Sequence, residues 1–215
     1  MKKLKSSLIN MTLVLSCFAV ITAGLLAWVN SITSAPIQKQ AEENLKKGIK
    51  TVMGNDKVEV ERTDTIKKDN HGKQTIYVIH NVSLQGKPLG AAVESAAQGF
   101  GGTLKVLVGF DKQGTIQGYT ILETAETPGL GSKADKWFQK DGKGNIIGKQ
   151  PNGKFKVKND GGSIDAITAS TITSRAFLSS ISQAYTAYIG KDVDSHSGAS
   201  KKAHKKKGGK KHEKH

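Results

Sequence analysis

"TLKVLVGFDKQGTIQGYTILE", residues 103–123, decides the fold. Two runs rich in Val, Ile, Leu and Thr flank Lys112-Gln113-Gly114. That spacing predicts an antiparallel hairpin with Gly114 at its tight position. Upstream, "KVEVERTDTI" (57–66) and "QTIYVIHNVSL" (74–84) alternate as strands do, with "DNHG" (69–72) as the turn between them. "LGAAVESAAQGFGG" (89–102) leads through a glycine-rich bend into the hairpin. Downstream, "TAETPGLGSKADKWFQK" (124–140) reads as a loop with a short helix after it. "KDGKGNIIGKQPNGKFKVKNDGG" (140–162) reads as a second, polar hairpin. "SRAFLSSISQAYTAYIG" (174–190) closes the series as a helix. Ala176, Phe177, Ile181, Ala184, Tyr185 and Tyr188 share one face, and Gly190 supplies the stop. The fold class predicted is α+β, an antiparallel sheet with flanking helices.

The N-terminus reads differently. Lys2, Lys3 and Lys5 precede an uncharged run from Leu8 to Val29. As a helix, those residues span about 33 Å, enough to cross a bilayer core. Trp28 falls at the far end, where an interfacial indole is favoured. A cleaved signal peptide is the competing reading, with Ser31 to Ala35 as the small-residue site, but the apolar run is longer than a signal core. A single retained transmembrane helix is therefore expected. The leading lysines place the N-terminus inside and the bulk of the chain outside the cytoplasm. Pro36 to Met53 follows as an amphipathic helix with Ile37, Ala41, Leu45, Ile49 and Val52 in register and Gly54 as its stop. The organisation expected is a stub and anchor over 1–30, a juxtamembrane helix over 31–54, one domain over 55–190 and a tail over 191–215.

Composition bounds what the domain does. Of 215 residues, about 160 remain once anchor and tail are set aside, enough for one compact core. The single cysteine, Cys17, lies in the apolar run, so the chain forms neither an intrachain disulfide nor a multi-cysteine metal site. The formal net charge is +15, of which the tail supplies +6 through nine lysines. A basic tail suits anionic lipid or nucleic acid, but no aromatic interleaves with these lysines to stack a base, so nucleic acid is not an expected partner. The tail histidines (196, 204, 212 and 215) have no packed scaffold to set metal geometry, and no metal site is expected.

"DAITASTITSRAF", residues 165–177, sets five hydroxyls in seven positions: Thr168, Ser170, Thr171, Thr173 and Ser174. A serine or threonine attacks a carbonyl only with a general base and an oxyanion hole, and no histidine is near in sequence. There is no G-x-S-x-G elbow either. The cluster instead sits where loop becomes helix. There the first N–H groups lack partners and the dipole is positive, so phosphate is attracted; Arg175 would add a bidentate donor. An ordinary N-cap accounts for one hydroxyl on the same grounds.

"TASTIT", residues 168–173, resembles the flavinylation motif of two related membrane-anchored FMN-binding proteins. These are the G subunit of the Rnf electron-transport complex and the C subunit of the sodium-pumping NADH:quinone reductase. In that motif, Ser/Thr-Gly-Ala-Thr-x-Ser/Thr, the threonine carries FMN covalently as a phosphoester, installed by a flavin transferase from FAD. The motif threonine falls on Thr171, with Thr168 leading and Thr173 trailing. Ala169 stands where the family has glycine and Ser170 where it has alanine, which makes Ser170 a rival acceptor. "ETPGLGSK" (126–133) resembles the loop that approaches the flavin ring. Pro128 fixes the chain, Gly129 and Gly131 let backbone come close, and Leu130 covers the ring face. By itself the same stretch is a Pro-Gly turn. "GFGG" (99–102) also matches a glycine-rich element of the family, read here as structural.

The resemblance runs from Met1 to Gly190 and is closer to the Rnf protein. It implies an electron-transfer component of an ion-translocating ferredoxin:NAD+ oxidoreductase, held by one helix in a bacterial inner membrane with its domain on the periplasmic side. Implied partners are the other Rnf membrane subunits and, during maturation, the flavin transferase. The cofactor-binding set expected is Thr171 with Thr168, Ser170, Thr173, Arg175, Glu126, Thr127, Gly129, Leu130 and Gly131. A quinone-reductase flavin protein and an anchored binding module without cofactor are the alternatives.

Overall fold

The computed structural model describes residues 8–70, 73–151 and 155–190. The lysines preceding the apolar run, the centre of the "DNHG" turn and the whole basic tail lie outside the described residues. The chain divides into two compact units, Met1–Lys47 and Gly48–His215.

Helix α1, Leu8–Met53, runs unbroken through Pro36. It is the one helix among the described residues long and apolar enough to cross a membrane. Thr12, Thr22 and Thr33 return their hydroxyls to carbonyls three or four residues back, which removes the polar cost of side chains in an apolar run. Its last residues belong to the second unit, where Ile49, Val52 and Met53 are buried.

Five strands follow: β1 Val58–Asn70, β2 Lys73–Leu84, β3 Lys87–Gln98, β4 Thr103–Asp111 and β5 Ile116–Thr124. They form one antiparallel sheet in the order β1-β2-β3-β4-β5. Gln85 and Gly86, both at positive φ, turn β2 into β3 with the twist a two-residue hairpin requires. At the β4–β5 turn, Asp111 Oδ1 accepts the N–H groups of Gln113 and Thr115, and Gly114 sits at φ 81°.

The uninterrupted Val106-Leu107-Val108 run is buried on both faces, as a covered strand must be. On one face lies α3, Thr171–Ile189. Phe177 stacks on Phe138 with centroids 4.4 Å apart and meets Tyr119 edge-on at 4.8 Å. Ser95 donates to the Ser180 carbonyl at 2.9 Å. The other face receives the end of α1. Gly109 and Gly118 are register partners, and a Cβ on either would stand 2.6 or 2.8 Å from the Val52 carbonyl oxygen. Both positions are glycine because backbone packs there. The predicted face of α3 is largely inward: Ala176, Phe177, Ile181 and Ala184 are buried, with Tyr185 and Tyr188 half-buried.

Residues 140–162 correct one expectation. Among the described residues of that stretch there is no hairpin, only turns, a short 3-10 turn at Lys158–Asp160 and a single parallel bridge between Val157 and Ile164. The physical reason is local. Glycines at 142, 144, 148, 161 and 162 bracket the two short apolar pairs of the stretch, Ile146–Ile147 and Phe155/Val157, leaving neither a run long enough for a strand face. Ile146, Phe155 and Val157 plug the core singly instead.

Candidate functional site

Three segments distant in sequence meet at one side chain. Glu126, 7% exposed, opens the "ETPGLG" loop. Its Oε1 accepts the Phe100 N–H at 2.8 Å and the Gly101 N–H at 3.3 Å. Its Oε2 accepts the Thr173 hydroxyl at 2.8 Å. The glycine loop before β4, the loop after β5 and the first turn of α3 are thus fastened by one carboxylate. A Cβ on Gly99 or Gly131 would collide with a Glu126 oxygen, so both positions stay bare because the carboxylate fills the space.

At the head of α3, Ser170 is the N-cap with φ −140° and ψ 46°, yet its side chain makes no capping bond. Its hydroxyl meets Thr173 Oγ1 at 3.0 Å. Because Thr173 donates to Glu126, the Ser170 hydroxyl is the donor in that contact, and a chain of hydroxyls ends on the carboxylate. Ser174 is buried: it accepts the Ile167 N–H at 2.9 Å and donates to the Ser170 carbonyl at 3.0 Å. The first backbone bond of the helix runs from Ser174 N to Ser170 O, so the N–H groups of Thr171, Ile172 and Thr173 have no carbonyl one turn back. Thr171, half-buried at the first helical position, stands among them. Uncapped N–H groups at a positive helix end, lined with hydroxyls, fit an anionic phosphate.

Ala169 holds φ 60°, the left-handed region that glycine occupies without cost. Ala169 thus adopts, with a methyl group on it, a conformation that glycine enters without cost. Thr168 is exposed on the same turn. In the other loop, the Thr127 carbonyl accepts the N–H groups of Leu130 and Ser132. Gly129 at φ 77° gives its N–H to the Ser132 hydroxyl at 2.9 Å, and Leu130 turns outward, 42% exposed.

Arg175 departs from its expected role. Its fork lies on Asp160, with Nε and a terminal nitrogen each 2.7 Å from one carboxylate oxygen, and that bond raises the guanidinium pKa. The 3-10 turn at Lys158–Asp160 delivers the carboxylate, which no local pattern marks. Sequence reasoning also missed Phe100 as anything but part of a structural loop. The signal available was an aromatic between glycines, a costly place for a large apolar side chain unless something covers it.

Tyr119 donates its hydroxyl to the Ala134 carbonyl at 2.6 Å, and burial pushes its phenol well above the ordinary range. That bond sets the short helix α2, Ala134–Trp137, against the sheet behind the loop.

Three fastened segments and a helix end whose first N–H groups have no carbonyl partner thus frame the site. Residues 99–186 match the FMN-binding domain family, a span that takes in all three fastened segments. Residues 1–52 match the RnfG N-terminal region. The chain is 30% identical over 190 residues to the G subunit of the ion-translocating oxidoreductase complex of Shewanella baltica, covering 84% of this chain and 89% of that protein. It is 33% identical over 184 residues to the protein of the same name from Vibrio atlanticus, covering 80% and 86%. The chain belongs to the RnfG family, the G subunits of ion-translocating oxidoreductase complexes.

Proposed function

We propose that this chain is the anchored electron-carrying component of an ion-translocating ferredoxin:NAD+ oxidoreductase, with FMN esterified to Thr171. The observation that carries the reading is the head of α3: a half-buried threonine hydroxyl among uncapped N–H groups, fastened through Glu126 to two glycine loops. In this proposal α1 spans the inner membrane, the domain faces the periplasm, and the other members of the complex are its neighbours. The anchor occupies residues 1–30, the juxtamembrane segment 31–54 and the flavin domain 55–190.

In maturation, a flavin transferase uses FAD. A bond forms between Thr171 Oγ1 and the FMN phosphorus, the pyrophosphate bond breaks, AMP leaves, and the hydroxyl proton passes to the transferase or solvent. No electron moves in that step. Once attached, FMN supplies one- and two-electron transfer. The chain's own residues do the rest. Thr171 would prevent dissociation, and the N–H groups of α3 would receive the phosphate. The Ser170–Thr173–Glu126 chain holds the helix head against the two loops, and Leu130 covers part of the ring. Residues 8–29 carry no charge, and no ion path is assigned to this helix.

The test is the full-length chain purified from membranes after co-production with the transferase. A fluorescent band that survives denaturation and an added mass of one FMN are expected, and Thr171→Val removes both. Loss of the band in Ser170→Ala but not in Thr171→Val moves the acceptor to Ser170. A chain of unmodified mass in its native membrane overturns the reading.

A further inference from the structure

Among the described residues of the second unit, six large apolar side chains are exposed: Val60, Ile66, Ile76, Phe100, Leu130 and Ile172. The first three are spread along β1 and β2. The other three lie one on each of the three segments that Glu126 fastens. Phe100 follows Gly99, Leu130 precedes Gly131, and Ile172 precedes Thr173. Exposed apolar residues scattered singly need no explanation, but one on each of three segments fastened by a single carboxylate does.

Phe100 is the most exposed of the six, at 70%. Its backbone is nevertheless held at every step. Its N–H is bound by Glu126 at 2.8 Å, and Gly99 N reaches Gly102 O at 2.8 Å across the loop. Gly101 and Gly102 lie so close to Ala125 that a Cβ on either would strike it. The loop is fixed and its aromatic ring is presented to the outside. Ile172, 50% exposed, sits one residue past the proposed attachment point.

From this geometry we infer that Phe100 and Ile172, together with Leu130, form the apolar seat of the isoalloxazine ring, with Phe100 stacking on it. The inference rests on the proposed FMN site and adds two positioning residues to it. A tether at Thr171 leaves the ring free to swing. A seat on three segments locked by Glu126 gives it one docked position, because aromatic stacking and apolar cover both favour a planar ring.

The experiment uses the same full-length, membrane-derived chain. The native-to-denatured flavin fluorescence ratio and the accessibility of the flavin to iodide are measured in Phe100→Ala, Phe100→Trp and Ile66→Ala, with intact mass in parallel. In the wild type a docked ring is quenched and shielded. Phe100→Ala lowers the docked-to-free ratio by about tenfold, the effect of losing one stacking partner. Native fluorescence and iodide access rise while the added mass stays. Phe100→Trp restores quenching and Ile66→Ala changes nothing. Full flavin mass with unchanged fluorescence and iodide access in Phe100→Ala overturns the seat and leaves the tether standing. Absence of flavin mass in the wild type overturns the tether and the seat together.

Discussion

Two buried glutamates show how the same side chain serves two ends. Glu94, on β3, is 8% exposed and meets cation-forming partners: His80 Nε2 at 2.8 Å and Lys105 Nζ at 2.8 Å. Thr63 closes the group by meeting His80 Nδ1 at 3.1 Å. Glu126 is as deeply buried, but its partners are two backbone N–H groups and a hydroxyl, and no cationic side chain among the described residues pairs with it. The Glu94 cluster joins four neighbouring strands within a sheet that is already continuous. Glu126 instead ties together segments 25 to 47 residues apart in the chain. A carboxylate held by backbone dipoles and a hydroxyl can thus orient loops with no cationic partner.

The largest effect should come from Glu126. Glu126→Ala leaves two N–H groups and one hydroxyl without acceptors, at about 3 kcal/mol in denaturant unfolding of the full-length chain. In the flavin-loaded full-length chain it should also release the ring to solvent. If stability falls but native fluorescence is unchanged, the carboxylate is structural in the way Glu94 is.

Glu94 comes next, with a signature in pH. Burial opposes its ionisation, but bonds from His80 and Lys105 outweigh burial and hold the carboxyl below its ordinary value of 4.5. A lowered folded-state value adds stability that is present above the unfolded value and lost as pH falls through the folded one. The advantage of wild type over Glu94→Gln should be about 2 kcal/mol at neutral pH. It should hold steady above roughly pH 5 and shrink below about pH 4.5, with flavin fluorescence untouched throughout. A gap that does not change with pH would remove the contrast between the two glutamates.

Ala169→Gly should be smallest and opposite in sign. Relief of the left-handed strain at φ 60° raises stability by about 1 kcal/mol. Thermal melting reads it, and a fall in stability would mean that the methyl group makes a contact worth more than the strain.

Much of this was legible in sequence because the signals are local. The β4–β5 hairpin, the α3 face and the glycines at 114 and 190 follow from spacing and backbone preference within a few residues. The site was legible as three separate motifs. What joins them was not: Glu126 reaches partners 25 to 47 residues away, and nothing near position 126 says where its oxygens will point. Asp160 was hidden from Arg175 for the same reason, since a turn fifteen residues back delivers it. Residues 140–162 misled because Lys and Gly alternating with single apolar residues imitate a polar hairpin, while each of those apolar residues had its own place in the core.

The sheet is a meander in which every strand pairs with its neighbour in the chain, and α3 is the last of the described elements. Such local connectivity allows rapid zippering, with no early strand waiting for a late one. The helix that completes the assembly also carries residue 171. If residue 171 is the attachment point proposed above, only a molecule that has finished folding would offer its hydroxyl properly framed, and the order of synthesis would act as a proofreading step for cofactor loading.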